Sequence, residues 1–152
     1  MNDKKSVRMN ADEAWSFLAA AHTGILTTLR SDGFPVSLPV WFVVEDQTVL
    51  VAGPGHTKKF VRVRNDDRCS FLAETGDRWA ELQAVQITGR ARLVDSPDWE
   101  HVDALLDAKY AGFRTPRSEM PAETREYYDN SRSLLAIEPE GRLLTWDNRK
   151  LF

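Results

Sequence analysis

The sequence predicts a mainly β, α+β fold, an antiparallel sheet curled into a closed or nearly closed barrel with flanking helices. Three observations carry this. Apolar, β-branched runs follow one another from Gly24 to Ala52, separated by short turn signals, as in a meander. A longer run of the same kind covers Ala84 to Val94. Helix signals occur in only a few places, and many strands with few helices favour barrel closure.

The elements follow in order. Asn10 to Ala21 reads as a helix, with Asn10 as cap, Glu13 three residues on, Trp15, Leu18 and Ala19 on one face, and Gly24 closing it. Gly24 to Arg30 is the first strand, and Ser31-Asp32-Gly33-Phe34 is a hairpin turn. Val36 to Val44 reads as one second strand, Glu45-Asp46-Gln47 as a turn, and Thr48 to Ala52 as a third strand. Lys58 to Arg64 fits two periods: Phe60 and Val63 sit three apart, yet residues alternate as in a strand, and periodicity favours the strand. Cys69 to Ala73 and Ala84 to Val94 are further strands, with Gly89 marking a bulge or bend. Ser96-Pro97 opens a helix with Trp99, Val102, Leu105 and Leu106 on its apolar face. The polar stretch Pro116 to Asn130 has room for another helix. Leu134 to Ile137 and Arg142 to Trp146 close the sheet.

Composition excludes several classes. The 152 residues form one domain by length, with a helical insertion over about residues 96–132. Hydrophobic and charged fractions of 42% and 28% are those of an ordinary soluble chain. A net charge of −3 argues against nucleic-acid binding. Cys69 is the sole cysteine, which suits a reducing cytoplasm. The N-terminal stretch lacks the apolar core of a signal peptide, and no apolar run is long enough to span a membrane. The three histidines show no metal-ligand spacing, and neither a GxSxG elbow nor a Walker A loop is present. An enzyme built this way would depend on a cofactor for its chemistry.

The stretch VLVAGPGHTKKFVRVR, Val49 to Arg64, carries the main chemical signal. An apolar run breaks on Gly53, Pro54 and Gly55, and Thr57, Lys58 and Lys59 follow at once. Glycines let the backbone approach a ligand, a hydroxyl donates a hydrogen bond, and two ammonium groups supply charge: a seat for a phosphate. A solvated basic loop is the alternative.

The order of these features resembles the pyridoxamine 5′-phosphate oxidase-like split β-barrel family. The likeness rests on Asp32-Gly33-Phe34-Pro35 with Pro39-Val40-Trp41-Phe42, on Thr57-Lys58-Lys59 followed by Asn65 and Arg68, on the ITGRARLV strand, and on the ending LLTWDNRKL. It covers residues 12–95 well and the tail more loosely. The resemblance implies a six-stranded split barrel that forms a homodimer, with a flavin-type cofactor between subunits. It implies that Thr57, Lys58 and Lys59 hold the cofactor phosphate, that Leu38, Pro39, Val40 and Trp41 run beside the ring, and that Lys58 onward is helical, against the periodicity. For Trp41 a place in the barrel core is the alternative. True pyridoxamine phosphate oxidases carry arginine where Leu38 stands, and Trp146-Asp147-Asn148-Arg149-Lys150 does not match their substrate-binding residues, so vitamin B6 oxidation is not expected.

The leading expectation is an oxidoreductase acting on a small organic substrate through FMN or the deazaflavin coenzyme F-420. The longer acidic tail of F-420 would suit extra cations, for which Arg62, Arg64 and Arg68 are candidates. The rival is a non-catalytic dimer that stores a flavin or binds haem. The sequence assigns no catalytic side chain.

Overall fold

The computed structural model describes residues 5–115, 117–129 and 131–152. Helix α1 (Ala11–Ala20) starts on Asn10, whose side chain accepts from the Glu13 N–H. Strands β1 (Gly24–Leu29) and β2 (Pro35–Val40) form a hairpin around Gly33, with φ +84°. Strands β3 (Val43–Glu45) and β4 (Thr48–Pro54) form a second hairpin. Its turn residues Asp46 and Gln47 both take positive φ, the two-residue geometry that matches strand twist. Then come α2 (Lys58–Asn65), β5 (Arg68–Thr75), β6 (Gln83–Leu93), α3 (Trp99–Tyr110), α4 (Ala122–Asp129), β7 (Arg132–Pro139) and β8 (Leu144–Asp147).

The eight strands of the described residues form one antiparallel sheet, ordered β2-β1-β5-β6-β7-β4-β3, with β8 beside the first half of β6. The two edges, β2 and β3, are one run of chain parted only at Trp41 and Phe42. That run pairs with β1 as far as Val40 and with β4 from Val43, which curls the sheet into a barrel. The last pair with β4 is Val43–Leu50. Beyond it the two runs part, and the barrel is split. Leu38 shows the consequence: it pairs with fully buried Leu26, yet is 38% exposed because it stands at the lip of the split.

The barrel interior is filled by Phe42, Phe60, Phe71, Ile87, Leu135 and Ile137, with Leu18 of α1 packed among them. Helix α2 contributes Phe60 and Val63, three apart on its buried face. A second cluster joins Val102, Leu106 and Tyr110 of α3 to Val43 and Leu134, so α3 covers the β3–β4–β7 side. Among the described residues no helix is long and apolar enough to cross a membrane.

The structure corrects several expectations. Lys58–Asn65 is a helix, not a strand, because burying Phe60 and Val63 together at one barrel end needs the 3.6-residue period. The second strand is two, since the chain turns from β1 to β4 at Trp41-Phe42. Short β3 and β8 make the count eight rather than six. Gly89 marks no bulge in the β5–β6 ladder, which runs unbroken from Arg68–Arg90 to Thr75–Gln83. A Cβ there would lie 2.0 Å from the Glu138 carbonyl oxygen, so glycine is needed for close approach of β7. Helix α3 starts at Trp99 under an Asp98 cap rather than at Ser96-Pro97; the Asp98 carboxylate accepts from the His101 N–H, and Ser96 is left at φ +49°. Helix α1 ends on Ala21, whose N–H reaches the Phe17 and Leu18 carbonyls, and Gly24 opens β1 instead of closing the helix. The polar stretch after α3 does hold α4; its expected ends, Pro116 and Asn130, lie outside the described residues, as do residues 1–4 of the N-terminal stretch.

Candidate functional site

The split forms a groove of about 420 Å³, with Trp41 on one side and Ala52 and Gly53 on the other. Larger hollows exist elsewhere on the surface. This one is singled out by the chemistry around it.

The indole of Trp41 is fixed from behind. The Tyr110 ring stacks on it at 4.4 Å and 5°. The Tyr110 hydroxyl accepts from the Phe42 N–H at 2.9 Å and lies within donating reach of the Phe42 and His22 carbonyls, at 3.0 and 2.8 Å. One side chain of α3 thus satisfies the backbone where β2 breaks from β3. Burial raises the Tyr110 phenol, so it stays protonated. His22 and Phe113 complete an aromatic group around Trp41, at 5.2 Å from Trp41 to His22 and 4.7 Å from His22 to Phe113.

The end of β4 meets the groove at Gly53. A Cβ there would lie 3.6 Å from Lys59 Nζ and 3.3 Å from the Phe60 ring, so the absent side chain leaves room for the amine. Lys59 is half-buried, and its amine is pushed below the ordinary lysine range by burial first and by the nearby Arg62 charge second. Arg62 stands one turn along the same face. Its Nε donates to the buried Thr28 hydroxyl at 2.7 Å, and its buried Nη2 has no hydrogen-bond partner. Two cations therefore stand together without a carboxylate partner among the described residues.

The predicted residues divide. Lys59 is brought to Gly53, and Trp41 to the groove. Lys58 is exposed. The Thr57 hydroxyl donates to the Pro54 carbonyl at 2.8 Å, so its proton serves the turn rather than a ligand. Leu38 and Pro39 are exposed along the lip, while Val40 is buried in the core. Of the three arginines considered for an acidic tail, Arg64 is spent on the Gly55 carbonyl and Arg68 on Asp66, at 2.8 and 2.7 Å; Arg62 alone of the three keeps a buried nitrogen unpaired. The ending Trp146-Asp147-Asn148 is structural: the Trp146 indole donates to Asn148, and Asn148 donates to the Trp79 carbonyl.

Sequence reasoning missed Thr28, Tyr110 and the α3–α4 wall, where Phe113, Arg125, Tyr128 and Arg132 line the groove. A helical reading of residues 58–65 would have placed Lys59 and Arg62 on one face.

A profile of the pyridoxamine 5′-phosphate oxidase family matches residues 11–145. The chain is 32% identical over 112 residues to the F420H(2)-dependent biliverdin reductase of Mycobacterium tuberculosis, covering 70% of this chain and 74% of that protein. A crystal structure of a conserved hypothetical protein from Mycobacterium tuberculosis is similar over 99% of this chain and 92% of that one, at TM-score 0.81 and 29% identity. A FAD-binding protein from Mesorhizobium loti is similar over 90% of this chain and 94% of that one, at TM-score 0.68; with 18% identity it speaks for the fold alone.

Proposed function

This chain belongs to the pyridoxamine 5′-phosphate oxidase family, and on that premise we propose that it is a flavin- or deazaflavin-dependent oxidoreductase acting on a small organic substrate. The observation that carries the proposal is the cation pair Lys59 and Arg62, which has no carboxylate partner among the described residues: Lys59 lies beside Gly53 at the groove with only the Thr57 hydroxyl near its amine, at 3.5 Å, and Arg62 keeps a buried nitrogen unpaired. Cations out of water without a counter-charge are costly, and a bound anion removes that cost. A cofactor phosphate fits, because Gly53 keeps the approach open and the first N–H groups of α2 have no carbonyl partner within the helix.

Lys59 and Arg62 would hold the phosphate. Leu38, Pro39 and Trp41 would border the flat ring along the lip. When bound, the cofactor supplies hydride or two-electron transfer. The chain's own part is to bind, orient and exclude water: Tyr110 fixes the plane of Trp41, and the aromatic wall keeps that side of the groove dry. Such a wall suits a planar, conjugated acceptor, the class to which the relative's biliverdin belongs. The name of that relative also favours F-420 over FMN.

The working unit in this reading is a homodimer. Outward-facing residues at the centre of β1, β5, β6 and β8 include Ile25, Thr27, Ser70, Leu72, Gln86 and Leu144, an uncharged patch bordered by Glu74 and Arg90. A standard interface buries roughly 800 Å² per partner, and a second copy is the occupant that suits this face.

Titration of the purified protein with FMN and with F-420, side by side, tests the reading. Micromolar binding of either that is lost in Arg62→Gln supports it. No binding of either overturns it. Turnover of the reduced cofactor then separates an enzyme from a storage protein, and light scattering tests the dimer.

A further inference from the structure

We infer that His56 is a positioning residue, which through Tyr127 holds α4 against the phosphate loop and so places Arg125 and Tyr128 at the groove. Helix α4 contains no buried side chain. Eight residues are too few for a helix to persist alone, so polar contacts must hold it. They converge on one loop. His56 Nε2 and Tyr127 Oη are 2.7 Å apart, with their rings edge to face at 5.2 Å. The Gly55 N–H donates to the Ser131 carbonyl at 2.6 Å, and the Ser131 hydroxyl donates to the Tyr127 carbonyl at 3.0 Å. From the other side Arg64 donates to the Gly55 carbonyl at 2.8 Å. The short stretch 55–57 is therefore tied both to α2, which carries Lys59 and Arg62, and to α4.

What α4 brings to the groove differs from what its neighbours bring. Arg114 is neutralised by Asp107 at 2.7 Å, and Arg132 by both oxygens of Asp103 at 2.7 and 3.0 Å. No carboxylate contact of that kind is seen for Arg125 among the described residues. The cation left for a ligand thus sits on the wall element with the weakest anchorage. Order at the phosphate loop passes through His56 and Tyr127 to that wall, and a ligand seated at Lys59 and Arg62 firms it. This last step rests on the function proposed above; the latch itself does not.

Hydrogen exchange on the full chain tests both. Without ligand, amides of residues 122–129 should exchange about fivefold faster in His56→Leu and in Tyr127→Phe, as for loss of one hydrogen bond. Exchange in β5 and β6 should stay unchanged. His56→Gln, which can still bond the phenol, should restore the parent rate. Equal α4 exchange in parent and His56→Leu overturns the latch. With FMN or F-420 bound, α4 should slow further in the parent and not in the two latch variants. A parent whose α4 ignores a cofactor that does bind overturns the coupling. If neither cofactor binds, the phosphate reading fails, and the ligand-free comparison still decides the latch.

Discussion

The stretch that runs from α2 into β5 carries the same kinds of side chain in opposite states at its two ends. At the far end, past the helix, Arg68 and the neighbouring Arg90 and Arg92 of β6 each have a carboxylate. Arg68 grips Asp66 at 3.0 and 2.7 Å, Arg90 reaches Asp67 and Glu140 at 2.6 Å each, and Arg92 meets Glu138 at 3.1 Å. The hydrogen bonds from Arg68 hold the Asp66 carboxyl down at about 2. At the near end, on the helix itself, Lys59 and Arg62 have no carboxylate partner among the described residues, and burial pushes the Lys59 amine down instead. The difference teaches that pairing, not charge density, separates a structural network from a candidate binding site. Exposed pairs contribute little to stability. Half-buried unpaired cations cost stability and are the groups a ligand would satisfy.

The largest test of this contrast is binding. Arg62→Gln removes a charged donor from the proposed phosphate, a loss of about 1.5–3 kcal/mol, or roughly ten- to a hundredfold in Kd. Arg68→Gln, with its charge already matched, should change Kd by less than about twofold. Lys58→Ala should resemble Arg68→Gln, because Lys58 is exposed. Fluorescence titration with FMN or F-420 reads all three. Equal losses at both ends of this stretch would erase the distinction.

A second test uses stability. If Lys59 is held against its preference, Lys59→Met should stabilise the ligand-free protein while weakening cofactor binding. The gain should be up to about 1 kcal/mol, the cost of partial desolvation no longer borne. Urea midpoints measure it. A variant that loses both stability and affinity would mean that the amine is satisfied in the free protein.

Much of this arrangement was readable from the chain, and the failures have physical causes. The hairpin at Asp32-Gly33 and the strand run through Ala52 follow from local turn chemistry and alternation. The GPGHTKK loop was found because glycine and lysine are informative without their neighbours. Which lysine faces inward was not, because Phe60, Val61 and Val63 fit both periods: a strand would put Lys59 on the face opposite Arg62, and only the helix brings the two to one side. Thr28 lies 34 residues from Arg62, and Tyr110 lies 68 from Phe42. Neither pairing leaves a local pattern. Helix α4 has no apolar face to announce it, and its role comes from His56, far away in sequence.

A third test follows proton uptake at the unpaired end. Lys59 is lowered in the free protein, and a bound anion favours its charged form. Affinity should therefore be full at pH values below the free amine's lowered pKa and decline as pH rises through it, with proton uptake on binding above that point. Lys59→Arg keeps its charge throughout and should show no such decline. Measurement above pH 7.5 avoids the phosphate's own titration near pH 6. A parallel decline in both proteins would place the titrating group elsewhere.

The smallest effect is expected at the paired end, and its sign follows from Asp66. The folded value near 2 lies below the usual 3.8, so the pair stabilises the folded state at pH values above the unfolded value. That contribution is lost as pH falls through about 2, where the folded-state carboxyl also takes its proton. Asp66→Asn should accordingly lower the urea midpoint slightly at pH 6, and the parent and variant should converge as the solution is acidified. Both partners reach solvent, so the difference should also shrink as salt rises from 0.05 to about 0.5 M, where the Debye length falls to roughly 4 Å. Cofactor affinity should not follow it. A Kd that shifts with Asp66 while the urea midpoint stays fixed would show that the C-terminal end of α2 reaches the ligand, and the two ends would then form one site rather than a site and a brace.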